Sequence, residues 1–138
     1  MDINLERAHM LIEAAKTKAH EIGVPMVIAV VDSGGHLVAL ERMDGALLVS
    51  LDIATNKAYT AVAVKMATHQ LSSLAQPQQP LFGIHNADGG RIVIFGGGLP
   101  LWKGNDLIGG IGVSGGSVEE DISCATAALH HLNSAKSP

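Results

Sequence analysis

Cysteine, aromatic rings and charge are all scarce in this chain. Cys124 stands alone among 138 residues, which excludes an intramolecular disulfide, a CxxC redox pair, a cysteine-rich zinc site and a covalent CxxCH heme attachment. The aromatic rings are Tyr59, Phe82, Phe95 and Trp102, too few for a base-stacking platform. Nine basic and thirteen acidic residues give a formal charge of −4, so nothing supplies phosphate neutralisation for nucleic acid or an anionic membrane. The longest apolar run, Met26 to Val31, falls far short of the ~20 residues of a spanning helix. The opening MDINLERAHMLIEAAK is amphipathic and has no secretory h-region, so the cytoplasm is the expected compartment. Charged residues are 16%, against the usual ~25%, and hydrophobic residues are 47%. One domain spanning 1–138 is expected, large enough for a core without staples. The apolar surplus points to surfaces buried between subunits.

What is present divides cleanly into elements. Asn4 caps a helix over 5–22, with Leu5, Ala8, Ile12, Ala15, Ala19 and Ile22 on one stripe and Gly23 and Pro25 as the stop. Met26–Val31 and His36–Met43 read as a hairpin around Asp32-Ser33-Gly34-Gly35. A long helix runs from about Ser50 to Leu74, ended by Gln76-Pro77-Gln78-Gln79-Pro80. Phe82–Gly90 is a loop or short strand, and Arg91–Phe95 a strand. Leu99–Trp102 and Asp106–Val113 flank a Lys103-Gly104-Asn105 turn. Ser117-Val118-Glu119-Glu120 forms a capping box that opens the last helix. Hairpins without strand–helix–strand alternation favour α+β, one antiparallel sheet with helices packed on it.

Three motif matches carry no catalytic weight. Gly110, Gly112 and Gly115 satisfy G-x-G-x-x-G, yet no second parallel strand follows to carry the ribose-binding acid. The glycines instead let the backbone pass close to a neighbouring element. Gly112-Val113-Ser114-Gly115-Gly116 satisfies G-x-S-x-G, but His130 lies roughly 20 Å away along the last helix. His9 and His20 share a face of the first helix but stand ~16 Å apart, and no HxxxH or HExxH occurs, so a preformed multi-histidine metal site is not expected. One alternative remains: N–H groups around Gly112, Ser114, Gly115, Gly116 and Ser117 at this helix start hold a carboxylate or phosphate metabolite.

His20 and His69 each carry two readings. One is a solvated or dipole-stabilised helix histidine; the other is the single neutral imidazole that binds the iron or cobalt of a heme or corrinoid against an apolar wall. Arg42, Lys57 and Arg91 are candidate partners for propionates or ordinary ion-pair residues. Met43 and Met66 read as core fillers rather than ligands.

Several stretches together resemble one family. Val30-Val31-Asp32-Ser33-Gly34-Gly35-His36-Leu37 and Glu41-Arg42-Met43-Asp44-Gly45-Ala46 are similar to its first block. Asn56-Lys57-Ala58-Tyr59-Thr60-Ala61, Phe95-Gly96-Gly97-Gly98-Leu99-Pro100-Leu101, and Gly109–Gly116 with Glu119-Glu120-Asp121 follow in family order. The chain resembles the GlcG/HbpS-like heme-binding family along nearly its whole length. Met66–Leu71 and Ser117–Asp121 are most similar to its PduO C-terminal branch and OrfY-type stand-alone proteins. The resemblance implies a profilin-like α+β sandwich: an antiparallel sheet of about five strands with helices on both faces. It also implies a homo-oligomer, octamers being found among members, and a heme or, less readily, a corrinoid as cofactor. The histidine ligand of the first helix in PduO-like members corresponds to His20, with His9 on the same face as a second candidate. The implied setting is diol, glycerol or glycolate metabolism, with microcompartment proteins as partners. Adenosyl transfer is not implied, because the resemblance covers only the C-terminal domain of that branch. A structural accessory that binds nothing small is the third expectation, since no catalytic constellation stands out.

Overall fold

The computed structural model describes residues 2–134. The first helix, α1 (Leu5–Ile22), is opened by Asn4, whose side-chain oxygen accepts the N–H of Arg7 at 2.8 Å. It closes at Gly23, in the left-handed region at φ +70°, with the N–H of Val24 donating back to the Ala19 carbonyl at 3.1 Å. Its buried stripe is Ala8, Leu11, Ile12, Ala15 and Ala19; Leu5 is 55% exposed, so the stripe starts one turn later than the spacing suggests.

Strands β1 (Val27–Asp32) and β2 (Leu37–Arg42) form the expected hairpin. Strands β3 (Gly98–Lys103) and β4 (Asp106–Ser114) form a second one, closed by Gly104-Asn105. β4 pairs antiparallel with β1, giving the order β2-β1-β4-β3. Helix α2 (Val49–Val64) covers one face of the sheet; α1 and the last helix, α4 (Val118–Ser134), pack together on the other. β1 is buried on both sides. Val27, Ala29 and Val31 meet α2, while Ile28 and Val30 join the core under α1 and α4. The α+β sandwich with helices on both faces is therefore present. No helix of the described residues is long and apolar enough to cross a membrane.

Two expectations need correction. The sheet has four strands rather than about five, because Arg91–Phe95 is not a strand. Its backbone is tied to a side chain instead: the Thr60 hydroxyl donates to the Arg91 carbonyl at 3.2 Å and accepts the Val93 N–H at 3.0 Å. The segment thus lies along α2, and the stretch before it is built from 3-10 turns at Ile84–Asn86 and Asp88–Gly90. The long helix is also two helices, α2 and α3 (Thr68–Leu74). Lys65 takes a left-handed conformation at φ 56°, and Thr68 is drawn to the sheet, where its hydroxyl accepts the N–H of Gly98 at 2.9 Å.

Among the glycines, the closest approach of a neighbouring backbone is that of α2 to the sheet. A Cβ at Gly112 would lie 2.0 Å from the carbonyl oxygen of Ala54, and one at Gly110 would lie 2.6 Å from that of Ala58. Two of the glycines of the G-x-G-x-x-G match are thus absent side chains under a helix backbone. From α2, Lys57 runs inward with no exposed side-chain surface. Its ammonium donates to the Val113 carbonyl and to Asp121 Oδ2, each at 2.8 Å, and stands 5.1 Å from the centre of the Phe95 ring. Asp121 Oδ1 accepts the N–H of Gly116 at 2.9 Å. Burial pushes the Lys57 ammonium below its ordinary range and the Asp121 carboxyl above its own, and each partner opposes the other's shift.

Gly112→Ala is expected to destabilise the protein by about 2–3 kcal/mol, because the α2 backbone has to retreat. Asp121→Ala leaves a buried cation unpaired and is expected to cost about 3–5 kcal/mol, whereas Lys57→Met/Asp121→Leu recovers most of that loss. Urea denaturation of the three variants beside the parent checks both expectations. A double variant as unstable as Asp121→Ala would show that the pair itself is not what its loss removes.

Candidate functional site

The end of α1 and the end of β2 meet because only Gly23–Met26 separates α1 from β1. The pairing of Val27 with Arg42 then brings β2 back to the same place. Exposed His20 in the last turn of α1 and exposed Arg42 at the end of β2 line one cleft of about 300 Å³, together with Lys16, Glu41, Met43 and Asp44. An adjoining hollow of about 230 Å³ shares His20, Met43 and Asp44 and adds Ala19, Gly23, Val24 and Pro25. Met43 is pinned there, its sulfur accepting the N–H of Met26 at 3.3 Å. Lys16 bonds Glu13 Oε2 at 2.6 Å and Glu41 Oε1 at 2.8 Å, and these two carboxylates raise its affinity for the proton. Arg42 has no ion-pair partner among the described residues. The cleft thus offers one imidazole, two cations, the two carboxylates of Glu41 and Asp44, and a partly apolar floor, open to solvent on its outer side. That donor set suits one face of a planar, metal-centred macrocycle bearing carboxylates: a ring nitrogen for the metal, a guanidinium and an ammonium for the acids.

The other histidines lie elsewhere. His69, exposed on α3, lines a cleft of about 350 Å³ with Leu99, Pro100, Trp102 and Leu129. That cleft is at the β3 edge of the sheet, opposite the β2 edge beside His20, so the fold does not bring the two histidines together. His9 faces a groove of about 390 Å³ between α1 and α4, shared with His131, and its Nδ1 is 3.9 Å from Glu41. Among the described residues no three His, Cys, Asp or Glu side chains are grouped to hold a metal ion.

Lys57, a candidate for propionate pairing, is interior; its donors face Val113 and Asp121, and it offers no surface to a ligand in the His20 cleft. Arg91 lies over the Tyr59 ring at 3.8 Å and bonds Asp88. In the glycine loop, Gly112 is roofed by α2, and Ser114 Oγ, buried, donates to Ser50 Oγ at 3.0 Å. Past Gly115, the N–H of Gly116 is held by Asp121 and that of Ser117 by Glu120, each at 2.9 Å. The Ser117 hydroxyl accepts the N–H of Glu120 at 3.2 Å, so the capping box is formed. The chain's own carboxylates therefore hold the donors that an external anion at this helix start would need. Cys124 is buried, and desolvation and then Asp121 push its thiol up to about 11, which disfavours the thiolate.

Lys16, Glu41 and Asp121 were not singled out from the sequence. Lys16 had a signal, since it precedes His20 by one helical turn on the same face. Asp121 lies in a block that resembles the family, but its pairing with Lys57, 64 residues away, had no local signal.

Comparison with known proteins identifies the family of the chain. A family model described as "Haem degrading protein HbpS-like" matches residues 3–130. The corrinoid adenosyltransferase PduO of Citrobacter freundii is 45% identical over 96% of this chain, which spans only 40% of that protein's length. The crystal structure of a PduOC:heme complex superposes with a TM-score of 0.93 at 44% identity, covering 96% of each chain. That of the Klebsiella pneumoniae protein ORFY does so at 0.94 and 42% identity, covering 97% of this chain and 92% of the other. The chain belongs to the HbpS-like family.

Proposed function

We propose that this chain binds heme in the cleft beside His20. The observation that carries the reading is the meeting of an exposed imidazole with Arg42 and Lys16 over the pinned side chain of Met43. His20 would donate a nitrogen lone pair to the metal, Arg42 would neutralise one propionate, and Lys16, paired with Glu13 and Glu41 here, would reach the other by exchanging partners. Val24, Pro25 and Met43 would shield part of the ring from water. A bound heme supplies a redox-active iron, and the chain's part is to hold and orient it. The family description and the heme complex of a 44% identical relative support heme as the ligand. A corrinoid also takes an axial imidazole, but the uncharged amides on a cobalamin rim leave Arg42 without an ionic partner. The donors of the Gly112–Ser117 loop are held internally, which favours the cleft over that loop as the ligand site.

A single chain covers one side of such a ligand, and Leu37, Leu47, Leu48 and Val49 are exposed by 53–78%. Both features support a homo-oligomer; the octameric assembly and the accessory role in diol or glycerol metabolism rest on the family resemblance. The similarity to a corrinoid adenosyltransferase supports that setting.

Titration of the apo protein with hemin is expected to give a saturable, shifted Soret band. His20→Ala should move the band and weaken binding at least about tenfold, while His69→Ala should match the parent. A spectrum unchanged in His20→Ala and lost in His69→Ala would move the site to the β3 edge. A non-saturating change equal in all three proteins would remove the heme assignment.

A further inference from the structure

We propose that Glu41 gates the His20 cleft for carboxylate-bearing ligands by holding Lys16 away from them, leaving Arg42 as the cation that meets the first carboxylate; this rests on the assignment of the cleft as a heme site. Lys16 and Glu41 both line the cleft and bond each other at 2.8 Å, with side chains 26% and 34% exposed. Glu13, the second partner of Lys16, lines the neighbouring His9 groove instead. Glu41 also sits 3.9 Å from Nδ1 of His9, a residue of that groove. The rim carries Asp44 as well, which has no ion pair among the described residues.

The fixed charges of the cleft are therefore two cations against two carboxylates. A planar dicarboxylate meets no net attraction there, only the unpaired guanidinium of Arg42. Surface ion pairs of this exposure are weak and exchange readily. Lys16 is thus held in reserve: an incoming carboxylate in this cleft recruits it by displacing Glu41, while Glu13 keeps its hold from the side of the neighbouring groove. The affinity of the cleft for acids is set by that competition, and its affinity for an uncharged ring is not.

Parent, Glu41→Gln, Arg42→Gln and Glu41→Gln/Lys16→Gln proteins are titrated with hemin and with hemin dimethyl ester, in which both carboxylates are masked. Glu41→Gln is expected to bind hemin about three- to fivefold tighter, and Arg42→Gln to bind it weaker by a similar factor. Both effects should shrink at high salt, and neither variant should change binding of the diester. The gain should vanish in the Lys16→Gln background. A gain that persists without Lys16 means that Glu41 acts by direct repulsion of the ligand, and the gate is overturned. Equal gains with the diester, or no gain with hemin, overturn it too. If the parent saturates normally, only the gate is lost; if it fails to saturate with hemin, the heme assignment falls and the gate with it.

Discussion

The distance between a helix backbone and a strand is the constraint on which the rest of this fold depends. α2 lies so close to β4 that carbonyl oxygens of Ala54 and Ala58 occupy the places of the missing Cβ atoms of Gly112 and Gly110. Close approach needs small residues on both sides, and the inner face of α2 supplies them as Ser50, Ala54, Ala58 and Ala61. Small side chains bury little apolar area each, so this face gains stability through dense packing rather than through large residues. The opposite face is built differently: Leu11, Ile12, Ile28, Leu101 and Ile111 fill the space under α1 and α4.

Lys57 is the exception on the small-residue face, and its position explains its ionic partner. A lysine pointing inward at this spacing has no route to water, so its charge must be met inside. Gly97, at φ +127°, leaves room for the ammonium, since a Cβ there would stand 2.6 Å from Nζ. The Val113 carbonyl and Asp121 then complete the environment. Because Asp121 also holds the N–H of Gly116, a single buried pair links α2, the end of β4 and the first turn of α4. A serine and glycine loop that resembles a catalytic elbow is therefore better understood as the anchorage of a helix start.

The parts of this arrangement that could be read from the sequence are those decided within a few residues. The Asn4 cap, the Gly23 stop, the β1–β2 turn and the Ser117–Glu120 box are closed by local hydrogen bonds, so local patterns suffice. Arg91–Phe95 has the composition of a strand, but its polar backbone groups are claimed by Thr60, on an element thirty residues earlier. The break after Val64 has neither glycine nor proline to announce it; it follows from the tie between Thr68 and Gly98. Lys57 was legible as a cation and illegible as a buried one, since nothing near it in sequence names Asp121. His20 and Arg42 were each legible singly. Their meeting depends on the register of β1 with β2, which fixes where the strand returns.

These two kinds of chemistry are kept apart for a physical reason. The interior pair is committed: each charge is desolvated, each has its partner, and exchanging either for an outside ligand would expose a buried charge. The charges around His20 are half in water, so their pairings cost little to break and remake. A site that must admit and release a charged ligand belongs at such a place, on a helix end and a strand end held rigid by the packing behind them. α1 is fixed by its apolar stripe and by its closing turn at Gly23, β2 by its ladder to β1, and Met43 by the backbone of Met26. What remains free to respond at the cleft is the outermost layer alone: the imidazole of His20, the guanidinium of Arg42 and the contest between Glu41 and any acid for Lys16.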